Sequence, residues 1–326
     1  MFGGSAHPAL AAEICAHLGE PLRPVRLRRF ANDCLEVQLQ DNCRERDVFI
    51  IQPLGPPVQE NLVELLLMLD AARGASAARV TAVIPHYAYA RSDKKDMPRV
   101  SIGARLVADL LVTAGVSRVL TMTLHSPQVH GFFSVPVDHL HALRELARHF
   151  AGLDLSNAVV VSPDLGNAKQ AAALARMLGL PVAAGAKERH SDRHVTISSI
   201  IGEVTGRDVI VLDDEIARGT TILELLGALG GRGVRSVRIA CTHGLFCDGA
   251  LERISAHPEV REIVCTNTVP VPASGVPADS ELLARQVAAD GYTRAGLQVI
   301  SVAPALAEAI RRIHVGESVS ALFDPA

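Results

Sequence analysis

Two aspartates at the end of an apolar run are the residues of this chain best suited to do chemistry. In Val209-Ile210-Val211-Leu212-Asp213-Asp214 four aliphatic side chains lead directly into two acids, and Gly219-Thr220-Thr221 then opens a helix-period stretch. Adjacent carboxylates at the end of a buried strand are costly unless something partners them. The hydroxyls of a sugar are suitable partners. The unpaired N–H groups and partial positive charge of a helix start, with the two Thr hydroxyls, suit a phosphate on the same sugar. Gly219 lets the backbone approach it closely. The plain alternative is an ordinary strand-to-helix turn with a threonine cap, which leaves the acid pair without a purpose.

A second set of candidates comes from the cations. Lys and Arg total 32, yet only Lys94, Lys95, Lys169 and Lys187 are lysines. A GC-rich genome favours Arg everywhere, but that bias does not explain where the lysines sit. All fall beside Gly, Asp or Arg in loop-like segments, where a compact point charge differs usefully from a planar guanidinium. Lys187 follows the apolar run 180–186 and precedes Glu188 and Arg189, while Lys94 and Lys95 stand in Arg91-Ser92-Asp93-Lys94-Lys95-Asp96.

These groups have to be positioned by a scaffold. Short β-branched runs alternate with amphipathic stretches, the pattern of strand–helix units around a parallel sheet. The spacing predicts strands over 48–52, 79–84, 118–123, 158–162, 195–200, 209–212, 234–242, 262–266 and 298–302, and helices over 60–72, 102–113, 168–178 and 221–229. The continuous apolar character of the strands implies that helices cover both sheet faces. At 326 residues the chain suits two domains. The boundary is expected in 141–157, giving domains of 1–143 and 144–326, and 270–297, rich in Pro, Ala and Gly, reads as a surface excursion.

Composition removes several classes of function. A formal charge of −3 argues against nucleic acid as a partner, and the absence of Trp argues against a base-stacking platform. No apolar run approaches the ~20 residues that span a bilayer, so no membrane partner is expected. Residues 1–10 lack the pattern of a signal peptide, and the six cysteines show no CxxC spacing. Both features lead to the expectation of a cytoplasmic protein with reduced thiols. No G-x-G-x-x-G follows an early strand and no Walker-type phosphate loop is present, which removes the common dinucleotide and nucleotide motifs.

The segment 209–221 resembles the phosphoribosyl-binding signature of type I phosphoribosyltransferases and of the diphosphokinases that share their fold. The rest of the chain separates the two. Tyr89-Ala90-Arg91-Ser92-Asp93-Lys94-Lys95, Leu124-His125 with Gly131-Phe132-Phe133 and Pro136-Val137-Asp138, Ser162-Pro163-Asp164 with Ala168-Lys169, Lys187-Glu188-Arg189, Thr242-His243-Gly244, Thr266-Asn267-Thr268 and Gly316-Glu317-Ser318-Val319-Ser320 follow in order. Together they resemble the ribose-phosphate diphosphokinase (phosphoribosyl diphosphate synthetase) family, from about Phe30 to Phe323. The resemblance implies two tandem phosphoribosyltransferase-type α/β domains, each a mainly parallel sheet flanked by helices, with the active site between them. It implies transfer of the diphosphoryl group of Mg-ATP to the 1-hydroxyl of ribose 5-phosphate, giving phosphoribosyl diphosphate and AMP.

By the same resemblance Lys187, Arg189 and His125 are catalytic, the first two on a mobile loop, and His125 and Asp164 hold Mg2+. Ribose 5-phosphate would lie on Asp213, Asp214, Ala217, Arg218, Gly219, Thr220 and Thr221. ATP would lie on Phe30, Asn32, Arg91, Ser92, Lys94, Lys95 and Asp96, with the adenine contacts given by a neighbouring subunit of a dimer or hexamer. Arg44, Arg99, Ser318 and Ser320 match the family's phosphate-responsive regulatory site. Six positions depart from its pattern: Cys34 for an acid, Ser92 for Gln, Ala217 and Arg218 for Asp or Ser and Thr, and Asn42 and Met97 beside the regulatory positions. Two other readings share the fold, a non-catalytic regulatory paralogue and a phosphoribosyltransferase. The intact His125, Asp164, Lys187 and Arg189 weigh against the first, and the motifs of the first half against the second. On the leading reading Lys187→Ala leaves substrate binding largely intact and lowers turnover by orders of magnitude, because its charge acts mainly in the transition state; steady-state kinetics on the variant checks it.

Overall fold

Aliphatic strands with apolar side chains on both faces need helices on both sides, and the computed structural model, which describes residues 1–191, 194–271 and 296–322, has this arrangement twice. The first unit runs from Met1 to His141 and takes in Thr268–Pro270 and the C-terminal stretch from Val302; the second begins at Ala142 and includes Asn267 and Ser301.

In the first unit, β1 (Phe2–Gly3), β4 (Asp47–Ile51), β5 (Arg79–Ile84), β6 (Arg118–Met122) and β7 (Val137–Leu140) form one sheet in the order β1-β4-β5-β6-β7, every pair parallel. Helices α1 (Pro8–Leu18), α2 (Val58–Gly74), α3 (Gly103–Ala114) and, from the far end of the chain, α8 (Ala303–Val315) flank it. Helix α2 buries Leu62, Leu65, Met68, Leu69 and Ala72, the three-and-four spacing of one helix face. Helix α8 packs on α1 through a buried face that includes Leu306, Ile310 and Ile313. A two-stranded antiparallel ribbon, β2 (Val25–Arg29) and β3 (Leu35–Leu39), stands apart from the sheet. Its sequences, Val-Arg-Leu-Arg-Arg and Leu-Glu-Val-Gln-Leu, alternate at the strand period but carry too little apolar content to signal a buried strand.

The second unit holds seven strands in the order β10-β9-β8-β11-β12-β13-β14: β8 (Ala158–Ser162), β9 (Val182–Ser191), β10 (His194–Ile201), β11 (Asp208–Ile216), β12 (Ser236–Gly244), β13 (Val260–Thr266) and β14 (Gly296–Ile300). All pairs are parallel except the antiparallel β9–β10. Along β11 the side chains alternate between two cores. Val209 and Val211 meet Ile222, Leu225 and Leu229 of α6 (Thr220–Gly230), whereas Ile210 and Leu212 share a core with Leu174 of α5 (Ala168–Leu178) and Phe150 of α4 (Leu143–Phe150). The short α7 (Ala250–Ser255) covers the first of these cores through Leu251 and Ile254.

The expected fold class is therefore present, with one correction. The segment carrying Lys187 and Arg189 is not a loop: β9 continues through Ser191 and pairs Lys187 with Ile197 and Arg189 with Val195. The apolar run before Lys187 fixes the strand, and the β-branched residues of β10 extend it by backbone pairing. Most of the predicted excursion, 272–295, lies outside the described residues.

At the amino end of β11, Asp208 accepts from Arg235 Nε at 2.9 Å and from Ser236 Oγ at 2.6 Å, and also pairs with the second guanidinium nitrogen. The Arg235 hydrogen bond holds its carboxyl below the ordinary 3.8. A group with a depressed folded value stabilises fully above its unfolded value and loses that contribution as pH falls through the folded one. Asp208→Asn is expected to lower unfolding stability at pH 7, with the gap to wild type closing as pH drops below 3.8; urea titrations at several pH values measure it.

Candidate functional site

The predicted residues fall into two sets, one in each unit. In the second unit the parallel pairing of β8 with β11 brings the carboxyl end of β8 level with Leu212, the residue before Asp213. Asp164 leaves the end of β8, and Asp213 and Asp214 stand near the end of β11. The Asp164 loop is tied down locally. Its Oδ1 accepts the Asn167 N–H at 3.1 Å, Ser162 Oγ donates to its carbonyl at 2.6 Å, and Asn167 Nδ2 donates to the Leu212 carbonyl at 2.9 Å. That last bond crosses from the β8 loop to the residue just before Asp213, so the three predicted acids converge. Burial of the Asp213 carboxyl, then the adjacent Asp214, and more weakly Asp164, push it well above the usual carboxylate range. Asp213 Oδ1 accepts the Asp214 N–H at 2.9 Å.

The turn that follows is shaped around one residue. Gly219 has φ +70°, and a Cβ there would stand 2.8 Å from Ile254 Cδ1 and 3.4 Å from Ala250 Cβ on α7. Only glycine combines that backbone with that contact. Helix α6 starts at Thr220 with no side chain on its N-cap bond, so its first N–H groups face outward from a turn flanked by Thr220 and Thr221. Backbone bonds from the next loop brace it: Cys247 N–H to Ala217 carbonyl at 2.9 Å, and Phe246 N–H to Ile216 carbonyl at 3.0 Å. Arg253 adds a 2.7 Å bond to the Arg218 carbonyl.

Arg218 itself is turned aside. Its Nε pairs with Asp248 at 3.0 Å, both side chains exposed, so the cation gained by departure from the family pattern ties the turn to the next loop. Sequence reasoning had no signal for Asp248, which sits at φ +55° after the motif Thr242-His243-Gly244. The backbones of Lys187 and Arg189 belong to the same unit, on β9. Their side chains lie outside what is described.

In the first unit, Arg91 closes a short 3-10 turn (Ala88–Arg91) beyond the carboxyl end of β5, and His125 follows the end of β6. Gln128 Nε2 donates to Asp93 at 2.6 Å and ties the two loops together. His125, Arg91, Lys94, Lys95 and Asp96 are exposed, and Lys94 lies 3.9 Å from Asp96. Ser92 departs from expectation. Its hydroxyl accepts the Gly103 N–H at 2.9 Å and its carbonyl the Ala104 N–H at 3.0 Å, which is a cap on α3 rather than a group offered to a ligand. Phe30 stands at the tip of the β2–β3 ribbon with the Arg28 guanidinium 4.8 Å from its ring centre, and Asn32 Oδ1 accepts the Cys34 N–H at 3.3 Å. The ribbon that carries Phe30 and Asn32 is a sheet separate from the one whose loops carry Arg91 and His125. Among the regulatory candidates, Ser318 Oγ and Ser320 Oγ lie 3.0 Å apart and Arg99 holds φ +64°. A cavity of about 460 Å3 in this unit, lined by Phe2, Arg23, Asp47, Arg311 and His314 among others, contains none of the predicted site residues; within it Arg23 pairs with Asp41 and His314 Nδ1 lies 2.8 Å from Asp47.

Residues 1–115 match the family model for the N-terminal domain of ribose phosphate pyrophosphokinase, and residues 193–324 match that for the phosphoribosyl synthetase-associated domain. A putative ribose-phosphate pyrophosphokinase of Streptomyces coelicolor is 70% identical over 324 residues, covering 99% of this chain and 97% of the relative. A ribose-phosphate pyrophosphokinase of Deinococcus radiodurans is 48% identical over 327 residues, with 99% and 97% covered. Among solved structures, phosphoribosylpyrophosphate synthetase from Mycobacterium smegmatis superposes with a TM-score of 0.85 at 36% identity, covering 97% of this chain and 98% of that one.

The Gly219 geometry yields a test. Gly219→Ala is expected to lower stability by about 1–2 kcal/mol, the cost of a left-handed backbone for a residue with Cβ, and to raise KM for ribose 5-phosphate without moving KM for ATP. Urea unfolding and two-substrate kinetics measure both. Ile254→Ala in the same chain relieves the contact but not the backbone strain, so only part of the loss returns.

Proposed function

This chain belongs to the ribose-phosphate pyrophosphokinase family, and from that premise we infer how its own residues carry the reaction. The enzyme transfers the diphosphoryl group of ATP to the 1-hydroxyl of ribose 5-phosphate and releases AMP. The observation that carries the residue assignment is the convergence of Asp164, Asp213 and Asp214 beside the open N-terminus of α6.

Asp213 and Asp214 take the ribose hydroxyls. Carboxyl oxygens accept hydrogen bonds from sugar hydroxyls, and two adjacent acids suit a diol. The first N–H groups of α6 with Thr220 and Thr221 hold the 5-phosphate, where the helix dipole favours negative charge. Fixing the sugar at both ends leaves the 1-hydroxyl little freedom, and positioning of this kind supplies much of the acceleration in phosphoryl-type transfers.

Arg91, Lys94 and Lys95 neutralise the triphosphate, while Phe30 and Asn32 receive adenine. Phe30 and Asn32 stand on a ribbon outside the sheet that carries the cations, and on the family resemblance a neighbouring copy completes the nucleotide site, so that the enzyme works as a dimer or larger assembly. Lys187 and Arg189 meet the charge that develops on the migrating diphosphoryl group. Carried on a paired strand, they start from a more ordered backbone than a free loop supplies.

Asp164 and His125 are the residues that would hold Mg2+. A hard cation that keeps several waters takes few protein ligands and prefers carboxylate oxygen, which suits Asp164. The mutual repulsion registered at Asp213 favours a cation nearby. When bound, magnesium neutralises phosphate charge and orients the β-phosphorus. Among the described residues no helix is long and apolar enough to cross a membrane.

The test is AMP release from ATP and magnesium by the full chain, with and without ribose 5-phosphate. Sugar-dependent AMP is the expected result. Binding of ribose 5-phosphate without AMP release would return the regulatory paralogue as the reading.

A further inference from the structure

A strained turn precedes His125. Thr123 holds φ +44°, in the left-handed region that β-branched residues seldom enter. Such a conformation persists only where its surroundings over-determine it. Two bonds from β7 do so here. The Leu140 carbonyl accepts the Thr123 N–H at 2.8 Å, and His139 Nε2 accepts the Leu124 N–H at 2.8 Å. With Nε2 as the acceptor, the imidazole is neutral and carries its proton on Nδ1. The His139 ring is itself restrained: its centre lies 4.5 Å from that of His141, and its residue pairs with Thr121 across the sheet. Leu124 and Leu140 are both buried, whereas His125 is exposed.

We propose that His139 is a positioning residue for the nucleotide side of the active site: its Nε2 fixes the Leu124 amide, so that the strained turn presents His125 in one direction. The inference rests on the reading of His125 as a nucleotide- and metal-side group. Packing alone asks for no histidine at 139, since any ring can lie against His141. An acceptor is what the Leu124 N–H requires, because a buried amide left unpaired favours relaxation of the turn that holds it. Relaxation at Thr123 swings the next residues, and an ångström of misplacement is enough to slow a positioned reaction strongly.

Three variants of the full chain separate the possibilities. His139→Phe keeps a ring against His141 and removes the acceptor. His139→Gln brings Oε1 near the place of Nε2 and removes the ring. His125→Ala removes the group being presented. In the ligand-free proteins, amide hydrogen exchange over 121–126 is expected to speed up in the Phe variant and to stay slow in the Gln variant. In AMP release, His139→Phe is expected to lower kcat about 10- to 100-fold, to raise the magnesium needed for half-maximal rate, and to leave KM for ribose 5-phosphate near wild type. His139→Gln recovers most of that turnover. The reverse order, with Phe active and Gln impaired, marks a packing residue and overturns the proposal. Full activity of His139→Phe beside an inactive His125→Ala overturns it as well, leaving the reading of His125 intact. Full activity of His125→Ala removes that reading and the positioning role together. If the Phe variant fails to fold, the Gln variant decides: near-normal turnover supports the role of the acceptor, and its loss overturns it.

Discussion

Backbone pairing between β8 and β11 sets the terms for the second unit. Val211 lies opposite Val161, so β8 ends level with Leu212 while β11 runs on to Ile216, and the loop that leaves β8 brings Asp164 beside Asp213 and Asp214. Strand pairing does not weaken when charge accumulates beyond it, because the ladder is made by buried backbone groups that have no other partner. The electrostatic cost appears instead at the Asp213 carboxyl, which burial and then Asp214 push well above the usual carboxylate range. A sheet end that is rigid and over-supplied with acid suits hydroxyl-rich and cationic ligands, and the uncapped start of α6 beside it suits a phosphate. Opposite preferences a few residues apart are what a sugar phosphate needs.

The first unit handles the opposite charge with a looser design. Its cations, Arg91, Lys94 and Lys95, stand exposed on loops. The backbone beneath them is not loose. The Leu54 N–H donates to the His86 carbonyl at 2.9 Å, Tyr87 Oη donates to the Ala104 carbonyl at 2.9 Å, and Gln128 ties the Asp93 loop to the turn after His125. Burial pushes the Tyr87 hydroxyl far above its ordinary range, so it remains a donor at any working pH. Exposed charge on a fixed base allows neutralisation without loss of register.

Departures from the family's pattern acquire physical meaning once their neighbours are seen. Ser92 caps α3, so a shorter side chain at that position trades a possible ligand contact for a helix start. Arg218 pairs with Asp248 on the loop that also bonds the Ala217 carbonyl, and the lost hydroxyl and acid of the turn are offset by a brace from outside it. Cys34 closes the ribbon turn through its backbone, with Phe30 N–H donating to the Cys34 carbonyl at 2.9 Å, a role indifferent to side-chain type.

Much of this protein is determined by local sequence. Continuous aliphatic runs such as 209–212 require burial on both faces, and that alone leads to parallel strands, flanking helices and two α/β units. The pair Asp213 and Asp214 before Gly219-Thr220-Thr221 is legible because strand, acids, glycine and helix start are contiguous, and contiguous residues carry their geometry with them. Tertiary structure decided what depends on residues distant in the chain. Asp164 and Asp213 become neighbours only through strand order. Lys187 and Arg189 sit on a strand because β10 pairs with theirs, and the polar ribbon of β2 and β3 forms without the apolar content that marks strands in a sequence. His139 reads as an unremarked strand residue until the Leu124 amide is seen 2.8 Å from its ring, since a hydrogen bond from one strand to the turn after another leaves no periodicity to detect.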